Sequence, residues 1–440
     1  MRQKLTRFLL LASLLLLLAL AVYQLPPIKS RLEWRIANVR AQVWRMIFPP
    51  EDAVFVPGAN PTPTESADAS TAIAQHVAAT LDALLTPSAS PFLLIAPSPA
   101  PPLPNTPTPL PTLTPTPLPP TVLLSGIRHE YEQWNNCGPA TLGMQLSFWG
   151  WEGNQSNTAP FLKPNPRDKN VSPHELAAYV ESQTALRALI RVGGTLNLLK
   201  SLIAAGFPTI VEKTLDVPGV DGWIGHYSLL SGYDDTQAHF ITQDSYIMAD
   251  FPEPYDKLAK AWQSFNYTFV VIYPPERETE LLTILGPLAD PTTQYPISLA
   301  TAEEQIATLT GQAQFFAYHN KGSSLVGLGD YAGAADAFDA AFALYPQLPL
   351  EERPWRMTWY QFGPYQAYFE TGRYQDVVDL AVVTLYPMDE QTVEETFYWR
   401  GLAKEKLGDL NGAREDLQRA VDLNANYTEA LEELRRLQGG

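Results

Sequence analysis

The sequence predicts an α+β domain followed by an all-α helical-repeat domain, with a transmembrane helix and a Pro-rich linker ahead of both. Three observations predict it. At 440 residues the chain is too long for one ordinary domain. Nineteen of its 40 prolines fall within residues 49–120, so that stretch cannot pack a core. Helical runs and then strand-like runs, without alternation, fill residues 122–276, whereas only helical patterns follow residue 300.

Residues 1–25 read as a transmembrane anchor or signal segment. Arg2, Lys4 and Arg7 precede the apolar stretch Phe8–Leu25, broken by Ser13 and Gln24. As a helix that stretch would span about 27 Å, marginal for a hydrocarbon core of about 30 Å. Ala19-Leu20-Ala21 would serve as a cleavage site if the segment were a signal peptide. An uncleaved single-pass anchor in the cell membrane is the favoured reading, because the apolar stretch is long for a signal core.

Residues 26–48 read as a basic amphipathic juxtamembrane helix. Ile28, Leu32, Ile36, Val39, Val43 and Ile47 form one helical stripe. With its arginines and tryptophans, this helix would either lie on lipid or simply snorkel a basic face beside the anchor. Residues 49–121 form a Pro/Thr-rich linker without Lys or Arg, of extended polyproline character, with one island at Ser66–Leu85 that could be helical. The basic residues after the anchor favour a cytoplasmic C-terminal side. A Pro/Thr stalk favours an extracytoplasmic one, and the extracytoplasmic placement is adopted.

Residues 122–276 carry a helix at Gly138–Trp149, a capped helix opening at Ser172 and running through Glu181, and another at Leu196–Ala205. Strands follow at Pro208–Lys213, His226–Tyr233, His239–Gln243 and Tyr267–Tyr273. Residues 277–299 read as a connector. In residues 300–440, Gly329-Asp-Tyr331, Gly372-Arg-Tyr374 and Gly408-Asp-Leu410 recur as three turn elements. Gly322 and Gly401 each lie seven positions before their turn, and small residues follow at Ala334, Ala341, Ala413 and Ala420. This pattern resembles the tetratricopeptide repeat. The middle copy departs from it: Tyr365 stands where the first glycine should, and Gly363-Pro364 is expected to interrupt the helix.

The net charge of −17 argues against a nucleic-acid partner. A single cysteine, Cys137, excludes an internal disulfide and any zinc site with two thiolates. No phosphate loop, His-Glu-x-x-His or calcium loop appears, and no cofactor or metal is expected.

Chemistry concentrates in three places. In Gln133-Trp-Asn-Asn-Cys137-Gly-Pro-Ala the cysteine begins a helix, whose positive end stabilises a thiolate. A buried, inert cysteine is the competing reading there. Gly225-His226-Tyr opens an apolar strand, so His226 can project over a cleft. Asp244 closes the next strand and could orient that imidazole. His129, eight residues before Cys137, is a weaker rival base, and His174 and His239 read as solvated or packed.

Together the three motifs, over about 122–276, resemble papain-like cysteine peptidases, most closely family 39 and its bacteriocin-leader peptidase relatives. The resemblance implies Cys137 as nucleophile, His226 as general base and then acid, and Asp244 as orienter. It implies Gln133 as an oxyanion donor, although Gln133 stands nearer the cysteine than is usual and Tyr131 holds the position two residues earlier. Ser245 follows Asp244 where relatives commonly have proline. With no transporter segment attached, a double-glycine leader specificity is not implied. The expectation is a membrane-anchored, extracytoplasmic bacterial cysteine peptidase acting on a peptide or protein, with repeats that recruit a protein partner. The alternative is an inactive papain-like domain serving as a peptide-binding or scaffolding module.

Overall fold

The computed structural model describes residues 117–215 and 222–439, residues 54–58, and parts of residues 39–49. The expected anchor at Phe8–Leu25, its cleavage site, the first half of the amphipathic stripe and most of the Pro/Thr linker lie outside the described residues. Among the described residues, no helix is long and apolar enough to cross a membrane.

The first domain is a seven-stranded antiparallel sheet flanked by helices. In chain order its elements are β1 (Thr121–Leu123), α1 (Cys137–Phe148), α2 (Gln155–Leu162), α3 (Pro173–Gln183), β2 (Arg187–Arg191), α4 (Leu196–Ala204), β3 (Thr209–Leu215), β4 (Ile224–Asp234), β5 (His239–Gln243), β6 (Phe251–Pro254), α5 (Tyr255–Gln263), β7 (Phe269–Tyr273) and α6 (Glu278–Leu285). The sheet order is β2-β7-β3-β4-β5-β6, with β1 added beside the end of β4. β4 is the spine. Its first half pairs with β3 and its second with β5, with a register shift between Leu230 and Gly232.

Two apolar clusters cover the sheet. Leu142, Met144 and Leu146 of α1 pack with Ile210, Leu229 and Val270. Leu199, Leu202 and Trp262 pack with Val211, Leu230 and Val271 in the other. Helix α1 is buried from Gly138 through Ser147, as suits an apolar helix in the middle of a domain. At α3, Ser172 accepts from the Glu175 N–H while Glu175 accepts from the Ser172 N–H at 2.7 Å, the capping box expected.

Segregation of helices from strands is incomplete, because β2 precedes α4. The connector expected at 277–299 is also divided. Leu281, Leu285 and Leu288 are buried in the sheet's core, so α6 belongs to the first domain.

The second domain is helical throughout: α7 (Gln294–Thr308), α8 (Gly311–Leu328), α9 (Tyr331–Leu344), α10 (Gly363–Glu370), α11 (Tyr374–Leu385), α12 (Glu394–Lys406), α13 (Leu410–Leu423) and α14 (Thr428–Gly439). The three turn glycines, Gly329, Gly372 and Gly408, all adopt positive φ of 74–89°. Asp330 and Asp409 then cap α9 and α13 through the N–H groups of Gly333 and Gly412. In the middle copy Arg373 replaces the cap and pairs with Asp339 and Asp376. Gly363-Pro364 does not interrupt a helix: it opens α10, where proline's missing N–H costs nothing.

The linker expected over 49–121 is shorter than its composition suggests. Phe55 is buried among the repeats, edge-on to Phe342 at 4.9 Å, and the Gly58 N–H donates to Asp376. At the other end, the Pro119 and Pro120 carbonyls accept from the Tyr233 hydroxyl and the Asp235 N–H, both at 2.8 Å.

The two domains are docked rather than strung apart. Trp223, just before β4, stacks on Phe265 at 5.3 Å and packs with Phe316 and Tyr360. Arg356 donates to the Trp223 carbonyl, Gln361 to that of Ser264, and Asn320 to that of Gln263. Residues 345–362, the insertion between the first two repeats, supply much of this contact.

Candidate active site

Helix α1, strand β4 and the end of β5 bring Cys137, His226 and Asp244 together. Cys137 is the first residue of α1, so its own N–H is among those left without an intrahelical partner. His226 and Ser228 are two apart on β4 and share a face. Both reach Asp244: His226 Nε2 lies 3.1 Å from each carboxylate oxygen, and Ser228 Oγ donates to Oδ2 at 2.8 Å. The N–H groups of Tyr246 and Ile247 donate to Oδ1 at 3.0 and 2.9 Å. The carboxylate is therefore held on all sides in the ionised form.

Cys137 is the second polar neighbour of the imidazole. It lines the same cleft and adds to the raising of His226, without the close, aligned bonds that Asp244 makes. Such pairs often tighten only when substrate binds. Burial by itself would push the His226 pKa down. The charge and hydrogen bond of Asp244, with the contribution of Cys137, outweigh burial and hold the imidazolium well above its ordinary value. Burial would likewise raise Asp244, but the His226 charge and hydrogen bond, the Lys213 charge and the Ile247 N–H hold it well below the usual carboxylate range. Lys213 is itself paired with Glu253, both nearly fully buried.

These shifts set a pH signature. His226 is raised, so its contribution to stability is complete below its ordinary 6.5 and is lost as pH rises through the folded-state value. Asp244 is depressed, so its contribution is complete above 3.8 and is lost as pH falls through its folded-state value. The pair therefore stabilises most between about pH 4 and 6.5. Asp244→Asn is expected to cost more stability at pH 6 than at pH 10, as read by urea denaturation. Equal losses at both pH values would show that the ion pair does not form.

A narrow cleft runs between these elements. It is lined by Cys137, Gly138, His226 and Tyr227, by Glu212 of β3, by Lys163 and Lys169 from the segment after α2, and by Tyr360 of the repeat domain. Gly225 is required at the edge of β4: a Cβ there would sit 2.8 Å from Phe265 and 3.0 Å from Tyr360. Burial pushes Glu212 up to about 8, against the lowering effect of the Tyr227 hydroxyl.

Gln133 is not brought to this cleft. It is exposed, its N–H donates to Gln155 Oε1 at 2.7 Å, and it is absent from the lining groups. The turn at Trp134–Asn135, where Asn135 has φ of 51°, directs the chain away before α1 begins. His129 packs edge-on to Tyr131 at 4.8 Å and also lies outside the lining.

Sequence reasoning missed Ser228, Lys163 and Tyr360. Period-two spacing on β4 would have found Ser228 beside His226. Nothing local marks Lys163 or Tyr360, which come from 26 and 223 positions beyond Cys137.

Residues 128–270 match the model of the Peptidase_C39 like family. The chain carries a C39-like peptidase-fold domain. Residues 317–348 and 394–427 match the tetratricopeptide repeat, and the divergent middle copy falls between them. No curated protein matches the chain. Among solved structures, the chain is similar to a C39-like peptidase from Bacillus anthracis, at 18% identity and TM-score 0.29, covering 34% of this chain and 96% of that one. It is similar to MamA from Desulfovibrio magneticus RS-1 at 18% identity and TM-score 0.28, covering 36% and 83% of the two chains. The first tetratricopeptide domain of Spaghetti, bound to an HSP90 peptide, is 20% identical with TM-score 0.25, covering 30% and 94%.

Proposed function

We propose that the C39-like domain is a thiol hydrolase of peptide or amide bonds, with Cys137 as nucleophile, His226 as base and then acid, and Asp244 as orienter. The observation that carries this reading is the His226–Asp244 pair, buried and bidentate, in one cleft with Cys137 at the start of a buried helix. A histidine so placed takes the thiol proton and returns it to the leaving amine. Incubating the full chain with a peptide library and reading new termini by mass spectrometry is expected to show cleavage that iodoacetamide abolishes. A library left intact would contradict the reading.

The reading extends to placement. Phe8–Leu25 would anchor the protein, with the domains outside the cytoplasm, and the repeats would bind a protein partner. Two observations support a helix lying on lipid between anchor and repeats. Arg40 pairs with Asp389 and Glu390 of the repeat domain, and Val39, Val43 and Ile47 of the apolar stripe remain exposed by 59%, 52% and 63%. Protease added to intact spheroplasts should release a soluble fragment cut within 49–121. Protection until lysis would reverse the orientation.

A further inference from the structure

The proposed reaction needs a donor for the oxyanion, and Gln133 is not among the residues that line the cleft. Lys163 stands at the reacting centre instead. It follows α2 directly and is only 4% exposed. Its ammonium donates to the Asn135 carbonyl at 2.6 Å and to Asn136 Oδ1 at 3.3 Å, the two residues just before Cys137. An ammonium has three N–H donors. Two are spent on fixing its position, and Lys163 lines the cleft together with Cys137 and His226.

Besides these two neutral oxygens the ammonium faces the Trp134 ring, 5.5 Å from its centre, and no carboxylate pairs with it among the described contacts. The surrounding groups are Asp168 and Lys169 beyond α2, Glu132 before α1, and Cys137 itself. Asp168 contributes the largest raising charge on Lys163 but makes no ion pair with it among the described contacts. The charge of Lys163 therefore remains available to an anion formed beside the thiol.

We infer that Lys163 is a catalytic residue of the proposed hydrolysis, donating its third N–H to the substrate oxyanion beside the Cys137 backbone N–H. The step balances without any further reagent. The Cys137 thiolate forms a bond to the carbonyl carbon, and the carbonyl π pair moves onto oxygen. Lys163 donates a hydrogen bond to that oxygen and keeps its proton. The pair returns, the C–N bond breaks, and His226 gives its proton to the leaving amine. Water then displaces the thiolate from the acyl thioester, with His226 as base.

This inference rests on the peptidase reading, so its tests separate the two. Lys163→Met in the full chain is expected to lower kcat on a peptide amide by about 100-fold, with KM within about threefold. Lys163→Arg, which keeps charge and donors, is expected to recover at least tenfold of that loss. A merely structural lysine would not alter the reagent preference of Cys137. A cation at the thiolate favours anionic iodoacetate over neutral iodoacetamide, and Lys163→Met should lower that rate ratio severalfold. Burial pushes Lys163 down to about 8, against the raising charges of Asp168, Cys137 and Glu132. Wild-type kcat should therefore fall above about pH 8, and Lys163→Arg should move that limb upward. An active wild type whose Lys163→Met variant keeps kcat within threefold, or keeps the alkylation ratio, overturns the role of the lysine. A wild type that cleaves no peptide overturns the peptidase reading and this role with it.

Discussion

Cys137→Ala is expected to lower peptide-amide hydrolysis by at least about 10⁴-fold, because the nucleophile of a cooperating triad carries nearly the whole chemical advantage. The thermal transition should move little. Cys137 is only partly buried and starts a helix whose interior packing lies further along, at Leu142, Met144 and Leu146. The result wanted is a dead enzyme with an intact fold, read by kcat/KM beside a melting curve. Residual activity near wild type would require another nucleophile, and the chain has no other cysteine.

The second large effect concerns docking. Trp223→Ala is expected to cost about 3–5 kcal/mol, the range for truncating a buried tryptophan. Trp223 is 5% exposed, stacks on Phe265 and meets Phe316 and Tyr360 from the repeats. Its loss removes the wall against which Tyr360 closes the cleft beside Gly225. Hydrolysis should therefore fall at least tenfold along with stability. Denaturation curves and kcat/KM measured on the same preparation check both. Repeats that loosen while hydrolysis stays at the wild-type level would make the second domain a detachable arm.

The sequence made the residues that cluster at the cleft more legible than the architecture. Cys137, His226 and Asp244 could be found because each sits at the boundary of a strongly patterned element: an apolar helix, an apolar strand, and the strand after it. Strand β2 was not legible because Arg-Ala-Leu-Ile-Arg is short and charged at both ends. Strand β6 was not, because Phe-Pro-Glu-Pro has two prolines that only an edge strand tolerates. Helix α2 carries an internal Pro160, which hides its start at Asn154.

The docked interface left little trace for a different reason. Its polar bonds run from Arg356, Gln361 and Asn320 to backbone carbonyls, which any residue could supply. The repeat turns were legible because left-handed backbone demands glycine at Gly329, Gly372 and Gly408. Phe55 was not, since it stands in a stretch otherwise dominated by proline and its partners Phe342 and Tyr368 lie about 300 positions away.

The central claim is that Cys137 attacks a carbonyl and carries the acyl group before water does. The most direct test mixes the full chain with an excess of a peptidyl p-nitrophenyl ester and follows nitrophenol release while sampling for intact mass. The account predicts a burst of one equivalent and a transient acyl adduct mapped to Cys137, both absent in Cys137→Ala. Steady release without a burst or adduct, unchanged by that substitution, would contradict it.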